Sequence, residues 1–295
     1  MATTAPARPA EPVAPRKTDF DLGTAPVHWL AGDAQSTHTM NVGNLLFPTG
    51  ERFFNDSVRH ALRYVADERI RDDIRGFLGQ EVTHANEHER CVERMLEHGI
   101  DFRRELDRFE RLRRRLDARV SKLPEPFRRQ AVLQMLAATA AAEHFTASLA
   151  GYVLEDNRWS DHGVHPGMQH LFLWHAAEEI EHRHVAYDAY EHVGGGYVRR
   201  ALTMLAVGTL VIGAWPVLTT WIMRRDPAAR GRWSWRRHVA AARAGLVFSL
   251  PRALWDMRLY LHAGHHPSQL PGSLDLALAY LADAPSVLGH RGRRR

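Results

Sequence analysis

The strongest chemical signal in the chain is residues 175–182, which read HAAEEIEH. His175, Glu179 and His182 lie at offsets of zero, four and seven, so a helix places all three side chains on one face. Two imidazoles and a carboxylate on one helix face are typical of a metal site in a helical bundle. Glu178 and Glu181 compete with Glu179, but Glu181 lies well around the helix from His175, and Glu178 is kept as the less favoured ligand.

A second segment, residues 81–88, reads EVTHANEH and is similar to the first. Glu81 and His84 are three residues apart and therefore share a helix face. His88 lies on that face one turn further on. We favour it as a partner that orients a ligand, with direct ligation of a metal as the alternative.

Two isolated glutamates, Glu51 and Glu143, complete the pattern. Glu143 lies within the apolar run AVLQMLAATAAAEHFTASLAGYVL, where an unpaired carboxylate is costly to bury. Along the chain the order is Glu, Glu-x-x-His, Glu, Glu-x-x-His, which is the ligand order of ferritin-like bundles with two metal ions. The predicted metal ligands, which are also the predicted catalytic residues, are Glu51, Glu81, His84, Glu143, His175, Glu179 and His182.

Carboxylates combined with imidazoles suit iron or manganese at their common oxidation states. Four carboxylates neutralise a pair of divalent cations, so we predict two iron ions, with manganese as the alternative metal. The competing interpretation places each Glu and His on a solvated helix face, where such residues are common. Two Glu-x-x-His pairs together with two isolated glutamates favour the metal site.

The rest of the sequence predicts helices that position these residues. Apolar periodicity and flanking Gly and Pro residues predict helices at about 50–65, 68–98, 101–120, 125–153, 167–192, 201–223 and 236–262. No segment alternates apolar and polar residues long enough to predict a strand. We therefore predict an all-α fold, a ferritin-like four-helix bundle with a dinuclear metal site and an added C-terminal apolar helical hairpin.

The domain boundaries follow from changes in composition. Residues 1–18 are rich in Ala and Pro and read as a disordered leader without the apolar core of a signal peptide. Residues 19–196 form the predicted bundle, and 197–285 the apolar helical extension, packed on the bundle or on a membrane. Residues 286–295 form a basic tail.

Residues 201–223 contain no charged side chain and are long enough to span a bilayer. Three interpretations compete, namely a helix buried against the bundle, a membrane-embedded hairpin and an amphipathic anchor. Trp215, Trp221, Trp233 and Trp235 suit either a membrane interface or a protein core. We predict a cytoplasmic protein in which 201–223 is the candidate for membrane association.

Bulk composition excludes several classes of protein. The chain has 295 residues, a net charge of +5 and a pI near 9.7, but its basic residues are interleaved with acids. No compact basic and aromatic surface is evident, so we predict no nucleic-acid partner. Cys91 is the only cysteine, which excludes an intrachain disulfide and a thiolate metal cluster.

At these motifs the chain resembles the ferritin-like family of predicted metal-dependent hydrolases. The resemblance covers about residues 28–262 and depends on VHWLAGDAQSTHTMNVGNLLFPTGERFF, QEVTHANEH, AAEHFT and WHAAEEIEHRHVAYDAY. The His-x-x-x-Glu-x-x-His pattern at 175–182 is also similar to that of the di-iron arylamine N-oxygenases. That likeness implies a third histidine ligand, and it does not extend to a substrate.

These observations together predict a non-haem di-iron oxidase or oxygenase. Such an enzyme uses O₂ and an electron donor of unknown identity to hydroxylate, desaturate or N-oxygenate a small or lipophilic organic substrate. The alternatives are a metal-dependent hydrolase, in which a metal-bridging hydroxide attacks an ester or amide, and a non-enzymatic metal-binding protein. A membrane surface and a second copy of the chain are further candidate partners.

Overall fold

The structure is a computed structural model that describes residues 11–229, 232–270 and 272–283. Its described part is helical with no strands, as predicted. The α-helices are α1 (Ala34–Ala61), α2 (Glu68–Glu97), α3 (Arg103–Lys122), α4 (Phe127–Gly151), α5 (Pro166–His182), α6 (Val185–His192), α7 (Tyr197–Arg225), α8 (Trp235–Arg243), α9 (Leu250–Tyr260) and α10 (Leu274–Asp283). A π-helical turn, Tyr152–Asp156, follows α4, and short 3₁₀ turns span Trp159–His162 and Pro267–Gln269.

Helix α1 is much longer than the sequence predicted. We expected a first helix from residue 50 because Pro48 is a common helix-starting residue, but α1 begins at Ala34 and contains Pro48 in its interior. Asp33 caps the true start, where its side chain accepts a hydrogen bond from the backbone N–H of Ser36 at 2.7 Å. The longer α1 adds the buried residues of its first half to the interior of the protein.

Two helices that were predicted as continuous are divided. The segment 167–192 breaks at Arg183 and His184 into α5 and α6. The segment 236–262 breaks after α8, where Gly245 adopts a positive φ of 72°, and Pro251 then opens α9. Pro251 therefore lies in the first turn of a new helix and not inside a continuous one.

Four helices bring the predicted ligands together, namely α1, α2, α4 and α5. Helix α1 packs along α2, α4 packs along α5, and α1 also contacts α4 while α2 contacts α5. Small side chains on α4 allow this close approach, since Ala137, Ala140, Ala141 and Ala147 are all buried. The Ala-rich centre of α4 therefore serves the close helix packing that its composition indicated.

The N-terminal segment differs from the disordered leader that we expected for residues 1–18. Residues 1–10 lie outside the described residues, but residues 13–16 lie against α2 and α5. The Val13 carbonyl packs on Gly76, Pro15 packs on Gly79, and Arg16 binds carboxylates of α5. Two glycines one turn apart leave a shallow groove on α2 that accommodates this backbone.

Helix α7 lies on α1 and α4 with only part of its surface covered. Among the described helices it is the one long and apolar enough to cross a membrane, with a mean hydropathy of 1.9 over a window that is 17% buried. Exposed apolar side chains on α7 are Val198, Leu202, Leu205, Leu210 and Val217. Packing on the bundle thus accounts for one face of α7 and leaves the other apolar and uncovered. The predicted basic tail, 286–295, lies outside the described residues.

Two helix-interior glycines should respond in opposite directions to substitution by alanine. A Cβ atom at Gly76 would lie 1.8 Å from the Val13 carbonyl oxygen, whereas a Cβ atom at Gly50 has no atom within 4 Å. We expect Gly50→Ala to raise the free energy of unfolding by about 0.5–1 kcal/mol through helix propensity. Gly76→Ala should lower it by about 1–3 kcal/mol because the N-terminal segment must move.

Urea unfolding of the two variants beside the wild type measures both changes. Equal stabilisation by both substitutions would show that residues 13–16 do not pack on α2.

Candidate metal centre

The seven predicted ligands lie together inside the bundle. Helix α1 contributes one of these residues, α2 two, α4 one and α5 three. Each of the seven residues is at most 4% exposed. We call this group the Glu/His cluster; its members are Glu51, Glu81, His84, Glu143, His175, Glu179 and His182. Whether these residues ligate metal is a separate question that depends on the atoms they direct at one another.

The imidazole of His182 faces three carboxylates from three different helices. Its Nε2 atom lies 3.2 Å from Glu81, 3.4 Å from Glu143 and 3.4 Å from Glu179. The groups therefore converge on a common space between α2, α4 and α5.

The other two imidazoles border the same space. His84 Nδ1 lies 3.4 Å from Glu81 and 3.6 Å from Glu179. His175 Nε2 lies 2.9 Å from Glu179 and 3.7 Å from Glu51. Glu179 is thus shared among all three imidazoles, and its Oε1 atom lies near the middle of the cluster.

Most of the inward-facing atoms have no hydrogen-bond partner among the described residues. They are both carboxylate oxygens of Glu51, Glu81 and Glu143, Oε2 of Glu179, Nδ1 of His84 and Nε2 of His182. A buried polar group without a partner costs free energy, and a buried unpaired carboxylate costs much more. A metal site requires several oxygen and nitrogen atoms that face one another and have no other partner, and these atoms meet that requirement.

Gln80 fixes the orientation of the His182 imidazole. The Gln80 amide nitrogen donates to the Ala14 carbonyl and to Glu181, both of which are acceptors, so its oxygen must face His182 Nδ1 at 2.8 Å. His182 therefore carries a proton on Nδ1, and its Nε2 atom is left to bind a cation within the cluster. Metal-ligating histidines are commonly oriented in this way.

A longer chain of hydrogen bonds begins at Trp29 and fixes His88. The indole N–H of Trp29 can only donate, so Asn41 presents its oxygen to it at 2.9 Å. That oxygen also accepts from the Asn44 amide nitrogen at 2.9 Å, so the Asn44 oxygen faces His88 Nδ1 at 2.7 Å. His88 therefore donates from Nδ1 and accepts at Nε2.

His88 in turn orients His175. Burial and the neighbouring His175 hold the pKa of His88 well below its usual value, so its Nε2 atom is bare and accepts from His175 Nδ1 at 2.7 Å. Burial and the nearby His84 lower the pKa of His175 to about 4. A neutral His175 with its proton on Nδ1 directs a bare Nε2 at Glu179, an arrangement that a cation stabilises.

His84 is oriented from the opposite side by Glu178. Arg16 donates to the Glu178 carboxylate at 2.9 Å, and the same carboxylate accepts from His84 Nε2 at 3.0 Å. Its other ring nitrogen, Nδ1, is the atom that faces Glu81 and Glu179. All three imidazoles of the cluster thus direct a ring nitrogen at the carboxylates. Burial opposes the charge on His182, but Glu179 outweighs it and holds the pKa of His182 well above its usual value, so its Nε2 atom carries a proton that a metal cation must displace.

The pKa values of the carboxylates also indicate that the Glu/His cluster needs positive charge. Burial, with repulsion from Glu81, raises the pKa of Glu51 well above its usual value, and burial with repulsion from Glu143 does the same for Glu81. Burial raises the pKa of Glu143 to about 7. Burial also favours protonation of Glu179, but His182 outweighs it and holds the pKa of Glu179 well below its usual value. Carboxylates in this environment require protons or metal cations.

The two less favoured ligands have other contacts. Both ring nitrogens of His88 are engaged, by Asn44 and His175, and both oxygens of Glu178 are engaged, by Arg16 and His84. Sequence reasoning did not identify Gln80, Asn44 or Arg16 in this role. The sequence signal that could have identified Gln80 is its position as a polar residue beside Glu81 on a buried helix face.

A second group of metal-ligand types lies apart from the Glu/His cluster. Both His28 Nε2 and His38 Nε2 approach the same Asp226 oxygen, at 2.6 and 2.8 Å. Because the Asn41 amide nitrogen faces His38 Nδ1 at 3.2 Å, the proton of a neutral His38 lies on Nε2 and is donated to Asp226. This group is a hydrogen-bonded cap between α1 and the end of α7 and does not have the tautomer of a metal ligand.

The fold and the cluster define an all-α protein with side chains arranged for metal binding. The chain belongs to the family described as predicted metal-dependent hydrolases, whose sequence model matches residues 14–270. Comparison with curated proteins and with solved structures gave no match. Membership confirms the family resemblance, and it supports metal dependence without specifying the metal or the reaction.

Glu143→Ala should abolish stoichiometric binding of a metal pair because it removes the carboxylate that α4 contributes. Glu93→Gln is the matched control, since Glu93 is exposed on α2. Metal analysis of the purified proteins after reconstitution with Fe(II) gives the stoichiometry. Near-normal metal content in the Glu143 variant would contradict the assignment.

Gln80→Leu should weaken metal binding without removing a ligand. Loss of the acceptor at His182 Nδ1 frees the imidazole to rotate and to change tautomer, and we expect a loss of about 10–100-fold in metal affinity. Competition with a fluorescent chelator measures this affinity. Gln130→Leu, on the exposed part of α4, should bind metal like the wild type.

Proposed function

We propose that this protein is a non-haem di-iron oxidase or oxygenase that acts on a small or lipophilic organic substrate. The observation that carries the proposal is the position of the Glu/His cluster beside an apolar cavity of about 620 Å³. Residues next to the cluster glutamates line this cavity, among them Gly50 and Ala142. The Phe47 ring also lines it and lies 5.3 Å from the ring of His175.

The donor set fits a pair of iron ions. Four carboxylates balance the charge of two divalent cations. Carboxylate oxygens combined with imidazoles suit iron or manganese, whereas zinc often occupies sites that are rich in cysteine sulfur. Bound iron would supply the redox chemistry with O₂, which protein side chains alone do not provide. The chain's own residues bind the ions, fix the imidazole tautomers and line the neighbouring cavity with apolar groups.

An apolar cavity favours oxidation of a carbon chain or ring over reaction of a polar substrate. In such a cavity the substrate is positioned by shape and by exclusion of water. A metal-dependent hydrolase is the second candidate, because the family is described as predicted metal-dependent hydrolases. It would use the same residues to hold metal ions, which would supply a hydroxide nucleophile from water.

We further propose that the protein works in the cytoplasm and contacts a membrane through α7. The support is the uncovered apolar face of that helix, with the half-exposed Trp235 and Trp255 on α8 and α9. An apolar substrate would then be available close to the cavity. No feature of the described residues indicates which electron donor the protein uses.

The two reactions can be separated by metal and oxygen requirement. Protein reconstituted anaerobically with Fe(II) should consume O₂ in the presence of a chemical reductant, with a change in its optical spectrum. Zn(II)-loaded protein should show neither response and should not cleave p-nitrophenyl esters. Ester cleavage by the zinc form without O₂, combined with no oxygen uptake by the iron form, would establish the hydrolase instead.

A further inference from the structure

The cavity beside the Glu/His cluster has walls from two parts of the chain. Its inner wall is the bundle, through α1 and α4, and its outer wall is formed by α7, α8 and α9. The C-terminal extension is therefore not simply packed on the bundle, because it encloses a space against it. Trp235, which is 54% exposed, lies at the outer end and marks the opening.

The cavity is long for its volume. It follows a single face of α1 from Thr39 to Phe54, a distance of about 22 Å at the rise of an α-helix. A volume of about 620 Å³ spread over that length leaves a space much longer than it is wide. Such a space suits one extended chain better than a compact ring system.

Several polar groups that line the cavity are already occupied. The hydroxyls of Thr39 and Thr146 donate to the carbonyls of Gln35 and Glu143 on their own helices. The Tyr152 hydroxyl donates to the Gly245 carbonyl at 2.9 Å. The indole of Trp215 donates to the Thr39 carbonyl at 2.8 Å. A ligand in this region therefore meets apolar surface and finds these donors already used.

His238 lines the cavity, and one of its ring nitrogens has no hydrogen-bond partner among the described residues. The residue is 6% exposed, and the unpaired nitrogen is its buried Nδ1 atom. Its ring lies 5.9 Å from Trp233 and 5.8 Å from Phe248. Arg252 nearby is paired with Asp256 at 3.3 Å, so a neutral hydrogen-bonding group fits this part of the cavity better than a charged one.

Gly50 keeps the inner end open. It lies in the interior of α1 beside Glu51, where glycine is unfavourable by about 1 kcal/mol relative to alanine. No atom lies within 4 Å of the position that a Cβ would occupy, so packing does not require glycine. A larger side chain here would enter the cavity next to the cluster.

We propose that this cavity binds a single extended alkyl or acyl chain with a neutral hydrogen-bonding headgroup, such as a hydroxyl, at His238. The chain runs along α1 toward Glu51, and Gly50 determines how closely it approaches the Glu/His cluster. Binding of the chain follows from the cavity alone, and its role as the substrate rests on the proposed oxidase function.

The test uses the full chain and a slender fluorescent ligand with a neutral headgroup, cis-parinaryl alcohol. Energy transfer from the cavity tryptophans reports its binding, and octanol, dodecanol and hexadecanol are added as competitors. Gly50→Phe blocks the inner end. Gly213→Phe is the matched control, since Gly213 is exposed on α7, does not line the cavity and also has no atom within 4 Å of its Cβ position.

We expect the wild type to bind cis-parinaryl alcohol and to prefer the longer alcohols. Gly50→Phe should lose about tenfold in affinity for hexadecanol, or about 1.4 kcal/mol, and less for octanol. Gly213→Phe should bind like the wild type. Gly50→Ala, which keeps the helix intact, should show a smaller loss in the same direction if the phenylalanine variant does not fold.

His238→Leu separates the headgroup from the chain, because it should weaken binding of dodecanol and leave binding of dodecane unchanged. The proposal is overturned if the wild type does not bind the chain, if both Gly50 variants bind hexadecanol as the wild type does, or if the Gly213 variant loses as much as Gly50→Phe. Metal content and oxygen uptake are measured on the same samples. Chain binding without metal or oxygen uptake would remove only the oxidase function.

Discussion

The arrangement of the whole interior depends on the mutual repulsion of four buried carboxylates. Glu51, Glu81, Glu143 and Glu179 come from four helices, and burial and repulsion raise the pKa of the first three. Their described surroundings contribute imidazoles but no inward-facing Arg or Lys side chain. A folded protein tolerates such a group only if protons or metal cations supply the missing positive charge. The centre of the bundle thus requires protons or metal cations to balance its carboxylates.

The contacts outside the cluster are as specific as the cluster itself. Trp29, Gln80 and Arg16 each lie at the outer end of a hydrogen-bond chain, and each leads to a different imidazole. Every link is fixed by a group that can only donate or only accept, so the tautomers do not depend on choices between equivalent arrangements. Arg16 belongs to the N-terminal segment and lies far in sequence from Glu178. Residues before α1 therefore take part in orienting a ligand on α2.

Periodicity could predict the helices that carry the ligands and the residues on their inner faces. It identified Glu143 because an acid in the Ala-rich α4 is out of place, and His175 because it shares a face with Glu179. It could not predict the partner of His182, since Gln80 lies on another helix and only the packing of α2 on α5 joins them. The early start of α1 was missed because Pro48, read as a boundary, is accommodated inside the helix. The ferritin-like topology itself stays a prediction.

The C-terminal extension determines the kind of molecule that can reach the space beside the Glu/His cluster. Helix α7 covers the bundle with one face and leaves an apolar face outward, and α8 and α9 complete a cavity between them and α1. A polar substrate would lose its hydration in such a cavity and gain few hydrogen bonds, because the lining hydroxyls of Thr39, Thr146 and Tyr152 are already used. An apolar chain leaves water without giving up hydrogen bonds. The same burial that makes the carboxylates require positive charge therefore also favours an apolar molecule in the space beside them.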